Sequence, residues 1–272
     1  MNPAQIGIDQ IKQNSKRTWM AGDFGQIARF TTQGAEEFVD RLTIRPEMRV
    51  LDVACGTGNL AIPAARRNAH VTGIDIAPNL VDQARKRAAA EGLDATFEEG
   101  DAEQLPYPDG HFDLVMTMFG AMFAPQPERV AAELCRVCRH GGTIAMANWT
   151  PGSFVGKMFA LGSRHVPPPP GVPAPVLWGD GKVVAERLGA AISRLETTPR
   201  TITFDYPFPP AKVVEHFRAY FGPVQVAVSK LDEAGQKALA ADLEGLWREE
   251  NQGGEGRTVV RGEYLEVIAT RA

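Results

Sequence analysis

Between residues 49 and 147, short apolar runs alternate with segments of helical spacing, and no other feature limits the fold so narrowly. Strands are expected over 49–54, 70–75, 95–99, 112–118 and 143–147. Helices are expected over 60–67, 79–91 and 128–139, the last two closed by Gly92 and by Gly141-Gly142. The fourth strand, FDLVMTM, is nearly all apolar, as a strand covered on both faces must be. Five strands alternating with helices in about 100 residues imply an α/β chain with a doubly wound, parallel sheet and right-handed crossovers.

The flanks are less regular. Residues 1–45 read as helices ahead of the core; in 34–42 the apolar residues Phe38, Val39 and Leu42 share one side, and Pro46 closes the segment. Beyond residue 148, helices are expected at 153–162, 180–191, 211–221 and 232–250. Strands are expected at 193–206, interrupted at Pro199, and at 264–270. The prolines at 167–170, 173 and 175 read as a stiff extended loop. The chain thus divides into a helical segment (1–45), a core (46–149) and a mixed segment (150–272).

Composition excludes some classes of function. Of 272 residues 44% are hydrophobic and 23% charged, and a net charge of −4 provides no basic field for nucleic acid. The N-terminal stretch has no apolar secretion core, and no apolar run approaches the ~18 residues of a membrane span. Three cysteines suit a reducing, cytoplasmic setting. Cys135 and Cys138 form a lone CxxC inside an expected helix, with no second pair to complete a metal site, so no metal is expected. Nothing in the sequence decides between monomer and homodimer.

Four features fall at successive strand ends: Asp52-x-x-x-Gly56-x-Gly58, Asp75, Gly100-Asp101-Ala102, and Met118-Phe119-Gly120. In a doubly wound sheet the carboxyl ends of the strands line one crevice. The glycine turn lets a ligand approach the backbone, and the following helix offers free N–H groups. An acid ending the second strand can accept both hydroxyls of a ribose, and one after the third can accept an adenine amine. Asp52 suits an ammonium and opposes a pyrophosphate, whose like charge is costly beside it. An adenosine carrying an amino acid would use every one of these groups.

On the segments VLDVACGTGNLA (50–61), VTGIDIAPNLVDQA (71–84), EEGDAEQLPYPDGHFDLV (98–115) and ERVAAELCRVCRHGGTIAMANW (128–149), the sequence resembles the class I S-adenosylmethionine-dependent methyltransferases. It is most similar to the small-molecule branch that includes the ubiquinone/menaquinone-biosynthesis type. The resemblance implies a seven-stranded, mostly parallel, Rossmann-like sheet whose last strand is antiparallel. It also implies helical lid insertions drawn from 1–45, 150–178 and 207–255, and release of S-adenosylhomocysteine. It places Asp52, Ala54, Gly56 and Gly58 on the methionine part. Asp75 would take the ribose hydroxyls, with Ile76 and Leu80 against the adenosine. Asp101 would take the adenine amine, Ala102 the adjacent ring nitrogen through its backbone, and Met118 and Phe119 would border the sulfonium. Trp19-x-x-x-Asp23-Phe24 resembles a segment with which related enzymes close over the cofactor, which adds Trp19 and Phe24.

The acceptor is expected to be a small, partly apolar molecule methylated on O or N. No Asn/Asp-Pro-Pro-aromatic clamp for a flipped base follows the fourth strand. His165 and His216 fall in the insertions and are candidates for a general base, or for lid histidines without a chemical role. Trp149, Trp178, Phe123 and Met122 are candidates for an apolar pocket or for the core. Two other readings remain: an NAD-dependent dehydrogenase, since Gly56-x-Gly58-x-x-Ala61 with Asp75 satisfies a relaxed dinucleotide fingerprint, and a non-catalytic S-adenosylmethionine-binding protein.

Overall fold

The computed structural model describes residues 7–272. Seven strands form one sheet: β1 (Arg49–Val53), β2 (His70–Asp75), β3 (Ala95–Glu99), β4 (Phe112–Met118), β5 (Cys138–Trp149), β6 (Ile192–Tyr206) and β7 (Thr258–Arg271). Their order is β3-β2-β1-β4-β5-β7-β6. β7 pairs antiparallel with both β5 and β6, while the other ladders are parallel.

The strand order reverses between β1 and β4, which fixes where a crevice opens. Right-handed crossovers running in opposite directions from that boundary put α4 (Ala61–Ala65) and α5 (Pro78–Glu91) on one face and α6 (Pro127–Val137) on the other. α5 starts on Pro78, whose fixed φ suits a first turn, and ends on Gly92 in the left-handed conformation (φ 64°). The inner strands are buried, with Val50, Leu51, Val115, Met116, Ile144 and Ala145 at the centre of the core.

Around this sheet lie α1 (Ile8–Met20), α2 (Gly25–Ala28) and α3 (Thr32–Asp40) on the N-terminal side, and α7 (Phe154–His165), α8 (Gly181–Leu188), α9 (Pro210–Tyr220), α10 (Gly222–Ser229) and α11 (Glu233–Glu249) on the C-terminal side. α7, α9, α10 and α11 pack on one another, and α1 rests against α10. Trp247 centres that cluster, packed on Phe154, Phe204, Tyr206 and Phe217. Together these are the helical additions that the sequence anticipates around a seven-stranded core.

Several details differ from expectation, among them the start of β7 at Thr258 rather than 264 and the additional helix α10. β6 runs unbroken through Pro199, which pairs with Leu265; β6 is the sheet edge, so the missing proline N–H leaves no ladder bond unmade. β5 begins at Cys138 rather than after Gly141-Gly142, because the glycines form an irregularity within the strand, where the β4 register shifts between Phe112 and Leu114. Cys138 is therefore a strand residue, and the CxxC spans a helix–strand junction. All three cysteines are buried and free, and no cluster able to hold a metal occurs among the described residues. No described helix is long and apolar enough to cross a membrane.

Candidate active site

The chain leaves β1 through Ala54 and Gly56, both left-handed (φ 56° and 52°). This turn is tied down from two sides. Asp52 Oδ2 accepts the N–H of Ala61, the first residue of α4, at 3.1 Å. Asp75, ending β2, accepts the Gly56 N–H on Oδ2 at 2.8 Å and the Ala77 N–H on Oδ1 at 2.9 Å. Two acids on neighbouring strands thus shape one loop, which is why their spacing in sequence is informative.

Burial pushes the Asp52 carboxyl well above the usual carboxylate range, and the Asp75 charge adds to the effect while the Ala61 N–H opposes it. Burial also raises Asp75, against the N–H groups of Ala77, Gly56 and Ile76. Among the described residues, no nearby cation compensates either acid. Asp101, after β3, accepts the Glu103 N–H at 2.9 Å and meets Lys12 Nζ at 2.7 Å.

The fourth strand end closes the ring. Phe119 is left-handed (φ 59°), and its N–H reaches the Ala147 carbonyl at 2.9 Å. Its ring lies flat on Trp149, with centroids 3.6 Å apart and planes at 9°. Strained backbone at both Ala54 and Phe119 marks a place where the surrounding structure holds loops in position.

One cavity runs over these strand ends. Among the expected cofactor residues, Trp19, Phe24, Asp52, Ala54, Gly56, Asp75, Ile76, Leu80, Asp101, Ala102, Met118 and Phe119 all line it. Gly58 does not. Its φ of 82° turns the chain, and a Cβ there would lie 3.3–3.4 Å from Ile62, Ala84 and Phe97, so it serves close packing beneath the loop.

The candidate bases lie elsewhere. His165, on α7, pairs with Asp242 of α11 at 2.8 Å. His216, on α9, has Nε2 3.1 Å from the Gln26 carbonyl and sits among Phe30, Phe208 and Tyr220; burial lowers its pKa. Neither borders the cavity, and no histidine is among its lining residues. Of the candidates for an apolar pocket, Phe123 lines it, whereas Trp149, Trp178 and Met122 belong to the core.

Residues beyond 149 contribute no lining side chain. They act one layer back: Phe221 stands 6.2 Å from the rings of both Trp19 and Phe24, and Phe159 stands 5.5 Å from Phe123. The sequence reading missed Lys12, Ser15, Ala28, Thr31 and Ala35, which reach the cavity from α1, α2, α3 and their linker. In α1 the positions 12, 15 and 19 share a helical face, but nothing in the sequence marks that face as the docked one.

This lining fits adenosine linked to an amino acid. Three acids stand along it, two without a counter-charge among the described residues, and the left-handed Ala54 and Gly56 bring the backbone to its surface. It does not fit a pyrophosphate, which would meet Asp52 and Asp75 at like charge.

Comparison with known proteins agrees. Residues 50–142 match the family described as a methyltransferase domain. The uncharacterized protein Rv1403c of Mycobacterium tuberculosis is 37% identical over 231 residues, 84% of each chain. A demethylmenaquinone methyltransferase of Deinococcus radiodurans is 40% identical over 124 residues, 44% of this chain and 52% of that one. In fold, the chain is similar to a Haemonchus contortus phosphoethanolamine N-methyltransferase in complex with phosphomonomethylethanolamine and S-adenosylhomocysteine, with a TM-score of 0.60, 13% identity and coverage of 98% of this chain and 60% of that one. The chain belongs to the class I S-adenosylmethionine-dependent methyltransferases. S-Adenosylmethionine is its methyl donor, and the dehydrogenase and non-catalytic readings fall with that membership.

Proposed function

We propose that the protein methylates a small, partly apolar molecule on oxygen or nitrogen, and that the cavity over the strand ends holds both donor and acceptor. One observation carries this reading. The cavity joins an acidic half, at Asp52, Asp75 and Asp101, to an apolar half formed by Trp19, Phe24, Phe123 and Ala124. The acidic half suits a cationic amino acid and a nucleoside; the apolar half suits an acceptor of limited size.

In this reading Asp52, Ala54 and Gly56 hold the methionine part, with Gly58 supporting their loop from beneath. Asp75 receives the ribose hydroxyls, with Ile76 and Leu80 against the adenosine. Asp101 and Ala102 receive the adenine edge, and Met118 and Phe119 border the sulfur. When bound, S-adenosylmethionine supplies an electrophilic methyl carbon on a positively charged sulfur. The chain's task is then to place a nucleophile in line with that carbon and to exclude water. Trp19 and Phe24 cover the site from the N-terminal side, edge-on to one another at 5.6 Å, and Phe123 packs on Trp19 at 5.1 Å.

With no histidine lining the cavity, His165 and His216 are not proposed as bases. Acceptors that reach the methyl carbon already nucleophilic, such as a neutral amine or an ionised phenol, fit best.

The test is incubation of the protein with methyl-deuterated S-adenosylmethionine and panels of small amines, phenols and carboxylates, read by mass. A product heavier by one labelled methyl, in an amine or a hydroxyl compound, supports the proposal. Labelling confined to protein or nucleic acid overturns it.

A further inference from the structure

α1 has no buried residue, yet it lies across the cavity. Lys12 lines one end, Ser15 the middle and Trp19 the other, on one helical face. At about 1.5 Å of rise per residue the helix spans roughly 10 Å between Lys12 and Trp19. Trp19 belongs to the aromatic end, and Lys12 to the end formed by the loop after β3.

Lys12 meets two carboxylates of that loop. Its Nζ is 2.7 Å from Asp101 Oδ2 and 2.5 Å from Glu103 Oε2, the second an ion pair rather than an aligned hydrogen bond. The Glu103 side chain is fully buried, and its other oxygen accepts the Gln126 N–H ahead of α6 at 2.7 Å. Two acids two residues apart, turned to one point, repel unless a cation stands between them. Lys12 is the one cationic side chain that lines the cavity among the described residues.

Resting on the reading of Asp101 as the group that receives the adenine amine, we propose that Lys12 is a positioning residue for the adenine end. It fixes the Asp101 carboxylate against repulsion from Glu103, so that discrimination of adenine depends on a side chain carried by α1. Docking of α1 and recognition of the base are then one event. Lys16 provides the contrast: it ties α1 to Glu99, also by an ion pair, but neither residue lines the cavity.

The experiment measures, by calorimetry, the affinities of S-adenosylhomocysteine and S-inosylhomocysteine, which lacks the 6-amino group, for the full chain and its variants. Lys12→Met is expected to weaken S-adenosylhomocysteine by about tenfold, the scale of one charge-assisted hydrogen bond, and to shrink the adenine-over-hypoxanthine ratio. Lys12→Arg should restore part of that ratio, and Lys16→Met should leave it unchanged. Glu103→Gln, which removes the repelling charge, should lessen the effect of Lys12→Met when the two are combined. A ratio unmoved by Lys12→Met, or moved equally by Lys16→Met, overturns the proposal. If Asp101→Asn also leaves the ratio of the parent protein unchanged, it is the assignment of Asp101 itself that fails. Unfolding of Lys12→Met, seen by circular dichroism, shifts the decision to Lys12→Arg: an altered ratio with retained fold supports the positioning role, and an unaltered ratio overturns it.

Discussion

Gly120 stands against Ala54 so closely that a Cβ on it would lie 2.5 Å from the Ala54 carbonyl oxygen and 2.7 Å from the Ala54 Cβ. The loops after β1 and β4 therefore touch across the point where the strand order reverses. Gly120→Ala has no conformational obstacle of its own, since φ is −104°. It must push the two loops apart. The expected cost is about 1–3 kcal/mol of stability, as for other overpacked sites, together with weakened S-adenosylhomocysteine binding. Thermal melting and calorimetry on the same sample check both; an unchanged affinity would mean that the contact does not shape the donor site.

Asp75 does two jobs, holding the Gly56 and Ala77 N–H groups and facing the cavity. Asp75→Ala is expected to weaken S-adenosylhomocysteine binding by roughly 1.5–3 kcal/mol, or about 10- to 150-fold. Because the same change strands two backbone donors, the melting temperature should fall as well. A 2′-deoxyribose analogue of the ligand separates the two effects: it should lose affinity for the parent protein and lose much less for Asp75→Ala.

Asp52 is a buried acid whose pKa is raised in the folded chain, chiefly by burial. Such a group favours the folded state when protonated and disfavours it when ionised, so its contribution declines as pH rises from the ordinary carboxyl range near ~4 through its folded value. Asp52→Asn keeps an acceptor for the Ala61 N–H and removes the charge. The ligand-free variant should therefore melt higher than the parent at neutral pH, with the gain shrinking in acid. Binding should change in the opposite sense: parent affinity for S-adenosylhomocysteine falls as Asp52 becomes protonated, while the variant binds weakly with less dependence on pH. A variant less stable than the parent at every pH contradicts this account.

His216→Gln should leave turnover unchanged, because the ring meets the Gln26 carbonyl and does not line the cavity. Its lowered pKa predicts a stability effect instead. A base harder to protonate in the folded chain makes stability fall as pH drops below ~6.5. The melting temperature of the parent should show that decline, and His216→Gln should reduce it. Loss of turnover at unchanged cofactor affinity would return His216 to the site.

What the sequence made legible depended on whether local pattern and tertiary role coincide. The core strands and the acids Asp52, Asp75 and Asp101 sit where a strand stops and a loop starts, a boundary written in hydrophobicity and glycine. Pro199 misled because proline forbids an inner strand but not an edge, and edge position is not a local property. His165 and His216 stayed open between base and lid residue because chemistry-bearing residue types in an insertion say nothing about which way the insertion faces; here one meets Asp242 and the other a backbone carbonyl. Lys12 was invisible for the converse reason. A lysine on a polar helix is unremarked until the helix is laid against Glu103, 91 positions later in the chain.

The place of β7 bears on how the chain is made. β6 ends at Tyr206 and β7 begins at Thr258, yet β7 is the partner that joins β6 to the sheet. During synthesis β6 leaves the ribosome first and has nothing to pair with until β7 follows. For that interval it is an open ribbon of free N–H and C=O groups, able to recruit the same ribbon from a neighbouring nascent chain. Soluble yield should therefore respond to the translation speed of residues 207–257, none of which lines the cavity over the strand ends.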